Sequence, residues 1–193
     1  MPIPESMPRR LLVTGAGGFV GANLVRRWAT QGCEVVAAVR PGGDPWRLEG
    51  CDARVVEAEL SDVNSLRTLL RDVDPGAVLH AAAHGAYSWQ NDLESMLAVN
   101  VRAVSTIIDH CIEREVPFVQ LGSSSEYGWV PGPPAETHRL SPNSDYAVTK
   151  AAASHLVEHA ALRRGLRGVV ARLYSVYGPW EDPRRLMPTV AWH

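Results

Sequence analysis

The chain has 193 residues, 46% of them hydrophobic and 21% charged, and its 19 basic and 21 acidic residues leave a formal charge of −2. This is an ordinary globular composition with no block of like charge, which argues against a nucleic-acid-binding or anionic-membrane surface. Cys33, Cys51 and Cys111 form no C-x-x-C pair and are odd in number, which argues against a zinc knuckle or a disulfide framework and fits a reducing, cytoplasmic setting. No apolar run approaches a membrane span, and the Pro-rich Met1–Arg10 lacks the apolar centre of a secretory leader.

Short β-branched runs alternate with longer amphipathic stretches, a pattern that predicts an α/β domain with a Rossmann-like, doubly wound parallel sheet and helices on both faces. The expected strands are Leu11–Thr14, Glu34–Val39, Arg54–Ala58, Ala77–Ala81, Phe118–Gly122 and Gly168–Leu173. Helical patterns cover Phe19–Gln31, Asp62–Arg71, Leu93–Arg114 and Tyr146–Arg164, the last closed by Gly165. Arg40–Asp52 and Ser123–Asp145 are long loops, and such loops at the carboxyl ends of parallel strands are where α/β folds bind ligands. Pro179, Pro183 and Pro188 are expected to break any regular element near the end of the chain. The predicted division is a flexible head over 1–9, a dinucleotide-binding domain over 10–178 and, over 179–193, the start of a largely absent substrate-binding lobe.

Thr14-Gly15-Ala16-Gly17-Gly18-Phe19-Val20-Gly21 follows the first strand and opens the first helix. Glycines at 15, 18 and 21 allow a tight turn, close approach to a pyrophosphate, and close helix–strand packing. The helix start, through Phe19 and Val20, supplies N–H groups and positive dipole. The second strand ends at Arg40 rather than at the acidic residue that NAD sites use for the ribose hydroxyls. An arginine there suits a 2′-phosphate, so NADP(H) is favoured over NAD(H). Glu59 and Leu60 fall where an adenine would lie, and Ala81, Ala82 and Ala83 are small enough for a cofactor to pass over. His84 is a candidate contact to substrate or nicotinamide ribose.

Tyr146-Ala147-Val148-Thr149-Lys150 puts a phenol and an ammonium on one helical face. A neighbouring cation favours the phenolate and brings a group of pKa near 10 toward a working range. Lys150 is the only lysine among the 19 basic residues, so a chain that otherwise uses arginine keeps a primary amine here. His155-Leu156-Val157-Glu158-His159 also matches an H-x-x-E-H zinc pattern. It lacks a convincing downstream ligand, and the solvated helix face is the preferred reading.

The motifs T-G-A-G-G-F-V-G at 14–21, V-L-H-A-A-A at 78–83, Asn100-Val101, L-G-S-S-S-E-Y-G at 121–128, Y-A-V-T-K at 146–150 and R-L-Y-S-V-Y-G-P at 172–179 occur in an order that spans the chain. Together they resemble the extended short-chain dehydrogenase/reductase family of NAD(P)-dependent sugar-nucleotide epimerases, dehydratases and reductases. The resemblance implies that Ser123, Tyr146 and Lys150 are catalytic, with Ser123 hydrogen-bonding the reacting sugar oxygen, Tyr146 as acid/base and Lys150 as its electrostatic partner. It places Asn100 and Tyr174 beside the cofactor, and His84, Ser123, Ser124 and Ser175 beside a nucleotide-sugar substrate. Ser124 and Ser125 stand where family dehydratases carry an acid, and Ser175 where epimerases often carry asparagine. With the 179–188 segment, these departures resemble nucleotide-sugar 4-ketoreductases of the CDP-paratose/abequose synthase kind. A 4-epimerase with tightly bound NAD and a non-catalytic NAD(P)-binding module remain alternatives. The family also implies a homodimer through the 93–114 and 146–164 helices.

Overall fold

The computed structural model describes residues 8–87 and 89–192. Most of the expected N-terminal head therefore lies outside the described residues; within them, the Arg9 carbonyl already accepts the Glu34 N–H at 3.1 Å. Six strands, β1 (Arg10–Thr14), β2 (Glu34–Val39), β3 (Arg54–Glu57), β4 (Ala77–His80), β5 (Phe118–Ser123) and β6 (Gly168–Leu173), form one parallel sheet in the order β3-β2-β1-β4-β5-β6.

The near-continuous apolar strands are explained by cover on two sides. One apolar cluster joins Leu12, Val36, Val78 and Phe118 to α2 (Val63–Val73), α4 (Ala103–Glu113) and α5 (Asp145–Arg163). The other joins Leu11, Val13, Val35 and Leu79 to α1 (Phe19–Ala29) and the short 3₁₀ turn Trp46–Leu48. Burying alternate residues of one strand into opposite cores removes the polar-out positions that a one-sided sheet would keep. The strand β6 is less covered: Val169 is exposed, and Ala171 and Leu173 are only half-buried.

Register sets the working edge. Thr14 pairs with Ala38 on one side and His80 on the other, and His80 pairs in turn with Gln120. The turns after β1, β2, β3, β4 and β5 consequently leave the same edge, and the order reverses between β1 and β4, where open α/β sheets form their ligand crevice.

Three elements differ from expectation. The segment expected as one helix over Leu93–Arg114 is α3 (Leu93–Met96), a π-helical turn (Leu97–Arg102) and α4. Ser124–Tyr127, expected as loop, is a 3₁₀ turn. The tail expected to be irregular contains α6 (Leu186–Trp192), in which Pro188 is tolerated because it falls in the first turn, where its missing N–H has no helical partner. Gly165 does end α5 with φ +77°. Among the described residues no helix is long and apolar enough to cross a membrane.

Candidate active site

The crevice between β1 and β4 opens into a cleft of about 510 Å³. Its lining includes Gly15 and Gly18 from the glycine turn, Arg40 after β2, Glu59 and Leu60 after β3, and Ala81, Ala82, Ala83 and His84 after β4. The glycines are required here by contact: a Cβ at Gly15 would lie 2.5 Å from the Ala82 amide nitrogen, at a φ of +66°, and one at Gly21 would collide with the Gly15 carbonyl. The turn thus brings α1 end-on against the crossover point of the sheet. Phe19, Val20 and Gly21 form its first turn, which has neither a side-chain cap nor an acidic residue. Uncapped N–H groups at a helix start facing a cleft suit a pyrophosphate, so the residues present fit a dinucleotide.

Arg40 is exposed at the cleft's rim. The carboxylate of Glu59 is held below its ordinary range chiefly by the hydroxyl of Ser61, then by the Ser61 N–H, with Arg40 adding to the effect.

Ser123 ends β5 and caps the 3₁₀ turn that follows. Its Oγ accepts the Ser125 N–H at 3.2 Å and lies 2.7 Å from the Ser125 hydroxyl. Tyr146 enters from the first turn of α5, which Ser144 caps by accepting the Ala147 N–H. The Ser123 hydroxyl lies close enough to the Tyr146 phenol to favour its ionised form, which brings two of the expected catalytic groups together. Lys150, one turn on, is buried and donates from Nζ to the Leu121 carbonyl at 2.5 Å.

One expectation about this pair is corrected. The ammonium does not draw the phenol down: burial raises the Tyr146 pKa above its ordinary value, outweighing the hydrogen bond from Ser123 that works the other way. Burial also lowers the Lys150 ammonium to about 8. Desolvation penalises each charged form more than local partners compensate it.

Asn100 lies in the π turn and is buried. Its Nδ2 donates to the His84 carbonyl and its Oδ1 accepts the His84 N–H, each at 2.8 Å, while Nδ2 also reaches Thr149 Oγ1 at 2.9 Å. The side chain therefore joins the strand-end loop after β4 to α5. Ser124 lies in the 3₁₀ turn, whereas Tyr174 and Ser175 follow β6 and are exposed. Among the described residues, neither Tyr174 nor Ser175 has a side-chain hydrogen bond to Ser123, Tyr146 or Lys150. In the H-x-x-E-H segment, Glu158 is engaged by Arg172 at 2.8 Å and by His155 at 3.5 Å.

Two buried groups escape a sequence reading of the site. Glu126 is fully buried, yet its Oε1 accepts the Ser123 N–H at 2.7 Å and its Oε2 accepts from Ser154 at 2.7 Å and Arg172 at 2.8 Å. Its only sequence signal is its place three residues after Ser123, the spacing of a capping box. Gln120 donates to the Leu121 carbonyl that Lys150 also uses.

The family model described as NAD dependent epimerase/dehydratase family matches residues 11–192. The chain is 30% identical over 197 residues to dTDP-6-deoxy-L-talose 4-dehydrogenase (NAD(P)(+)) of Kitasatospora kifunensis, covering 99% of this chain and 60% of that protein. It is 30% identical over 190 residues to dTDP-glucose 4,6-dehydratase of Mycolicibacterium smegmatis, covering 93% and 57% respectively. The Thermus thermophilus UDP-glucose 4-epimerase, solved as a complex with NAD, superposes with a TM-score of 0.84 at 28% identity, over 95% of this chain and 60% of that one. The chain thus spans about three-fifths of the length of these relatives. Glycine turn, strand order and family match agree, and the chain belongs to the NAD dependent epimerase/dehydratase family.

Proposed function

We propose that this chain is the dinucleotide-binding and proton-transferring part of an NAD(P)-dependent enzyme acting on a nucleotide-activated sugar, with 4-ketoreduction as its reaction. The observation that carries the reading is the Ser123 hydroxyl close to the Tyr146 phenol, with the amine of Lys150 buried one turn on and their helix tied through Asn100 to His84 of the glycine-lined cleft. The bound nicotinamide would supply or accept the hydride at a sugar carbon. Ser123 would hold the sugar oxygen and Tyr146 would donate its proton to it. The protonated phenol is the form that reduction of a carbonyl requires.

Two further features support reduction over dehydration. Ser124 and Ser125 offer no carboxylate beside Ser123, and the nearest acid in that turn, Glu126, is buried with both oxygens engaged. The similarity to a 4-dehydrogenase that uses NAD(P)(+) points the same way. Arg40 at the rim supports NADPH as reductant. A 4-epimerase holding NAD is the second reading, favoured by the likeness to the T. thermophilus epimerase complex with NAD. His84, Ser124 and Ser175 are proposed substrate contacts and Tyr174 a cofactor contact. The exposed Leu93, Leu97, Val148 and Leu162 support a homodimer through the 93–114 and 146–164 helices.

Calorimetric titration with NADPH and NADH, followed by nucleotide sugars added to the tighter complex, tests the proposal. Exchangeable NADPH and a productive 4-keto sugar nucleotide are expected for the reductase; NAD retained through purification indicates the epimerase. A complex that binds dinucleotide and no sugar nucleotide leaves a non-catalytic binding module. Tyr146→Phe should keep dinucleotide affinity and lose turnover by about 10²–10⁴-fold.

A further inference from the structure

Glu126 is the one fully buried carboxylate among the described residues, and it lies at the junction of three elements. From the 3₁₀ turn it reaches back to the Ser123 N–H; from α5 the Ser154 hydroxyl donates to it; from β6 the Arg172 guanidinium donates to it. Arg172 is itself largely buried, lies over the Tyr127 ring at 5.3 Å, and uses its other nitrogen on Glu158 of α5. Such an arrangement is costly unless each partner is satisfied, and here three donors converge on the two carboxylate oxygens.

The location gives the network more than a packing role. Among the described residues Ser123 is fixed at its backbone by Glu126 and at its side chain by the neighbouring Ser125. A Cβ at Gly122 would lie 2.8 Å from Glu126 Oε1, so the strand end is shaped to admit this carboxylate. Tyr146 and Lys150 stand on the same helix as Ser154 and Glu158, so the network ties the Ser123 turn to the element that carries its proposed partners. The charge also acts on both of them, raising Tyr146 and Lys150 alike.

We propose that Glu126 is a positioning residue, clamping the Ser123 turn to α5 and β6 so that the Ser123 hydroxyl stays opposite the Tyr146 phenol. The inference rests on the reading of Ser123 and Tyr146 as the proton-transfer pair, and it concerns how that pair is held rather than what it converts.

Two measurements on the full chain with bound dinucleotide separate the inference from that reading. The first is amide hydrogen exchange, which needs no substrate: Glu126→Met, which offers the Ser123 N–H no oxygen, should accelerate its exchange at least tenfold while leaving β1 and β4 amides protected. Unchanged protection of Ser123 in a folded variant overturns the clamp whatever the enzyme converts. The second is a double-mutant cycle on turnover. A residue acting through Ser123 should lose its effect in a Ser123→Ala background, so that Glu126→Met lowers kcat at least tenfold alone and less than twofold there, with KM for the dinucleotide unchanged in both. Fully additive losses overturn the positioning role. If Ser123→Ala leaves turnover intact, the proton-transfer reading fails, and the positioning inference fails with it. Should the single variant fail to fold because Arg172 is left unpaired, Glu126→Met combined with Arg172→Met removes both charges and is carried through the same exchange measurement, with the same result deciding.

Discussion

Asn100 grips both backbone groups of His84, accepting from its N–H and donating to its carbonyl, each at 2.8 Å. The π-helical turn over Leu97–Arg102 is what presents this side chain, and single π turns recur where a helix must aim one residue at a site. Asn100→Ala removes the partner of two part-buried backbone groups, each worth about 1–2 kcal/mol at the lower end of the usual range. The expected outcome is a loss of about 2–4 kcal/mol in urea unfolding, and weaker dinucleotide binding because the loop over the cleft loosens.

His80 provides a pH dependence with a definite sign. Burial holds its imidazole down at about 3 against an ordinary 6.5, and the Lys150 charge adds to the effect. The unfolded chain therefore takes up a proton below pH 6.5 that the folded chain does not. Stability contributed by neutral His80 is present above 6.5 and falls as pH drops toward 3, by about 1.4 kcal/mol per pH unit at the steepest. His110 is lowered too, so the test is a comparison. Urea unfolding of His80→Asn between about pH 6.5 and 5 should slope less steeply than wild type by about that amount; parallel slopes would mean that His80 is protonated in the fold.

Much of this is legible locally. Strands of a two-sided sheet are apolar runs, and β2 and β6 match the sequence expectation to the residue because Glu34–Val39 and Gly168–Leu173 are bounded by turn residues. The glycine turn and the Tyr146–Lys150 pair are motifs whose chemistry depends on spacing along one segment. What escapes depends on distant residues. Nothing near Glu126 announces that Ser154 and Arg172 will meet it, 28 and 46 positions away. The direction of the Tyr146 pKa runs against expectation for the same reason: the cation is local, whereas the burial that raises the phenol is assembled by the whole fold.

Arg40 should set the choice of dinucleotide. It is exposed at the rim of the cleft and makes no ion pair among the described residues, so its guanidinium is available to a 2′-phosphate. A charge-assisted contact of this kind is worth about 1.5 kcal/mol at the low end, or roughly tenfold in affinity. Arg40→Ala is expected to weaken NADPH about tenfold and leave NADH nearly unchanged, and Arg40→Asp to invert the preference. Equal loss for both cofactors would assign the arginine to a contact that they share.

The tail bridges both lips of the cleft through Arg47 and a set of arginine–aromatic contacts. On one lip, Arg47 donates to the Trp180 carbonyl at 2.8 Å and reaches the Gly17 carbonyl at 3.4 Å, while Arg26 lies 4.1 Å over the Trp180 ring. On the other, Arg184 and Arg185 lie over Trp89 and Tyr87 at 5.2 and 5.4 Å. One side chain thus couples the tail to the glycine turn, and Arg47→Ala releases both at once. Local opening exposes backbone to protease in proportion to its population, and a lost contact of about 1.4 kcal/mol raises that population roughly tenfold. Trypsin cleavage after Arg184 and Arg185 should therefore accelerate about tenfold in Arg47→Ala. Bound dinucleotide should slow cleavage in wild type more than in the variant, because among the described residues the variant keeps only the Asn23–Pro179 hydrogen bond and the Arg26–Trp180 contact between α1 and the tail. Equal protection in both would show that the tail and the glycine turn open independently.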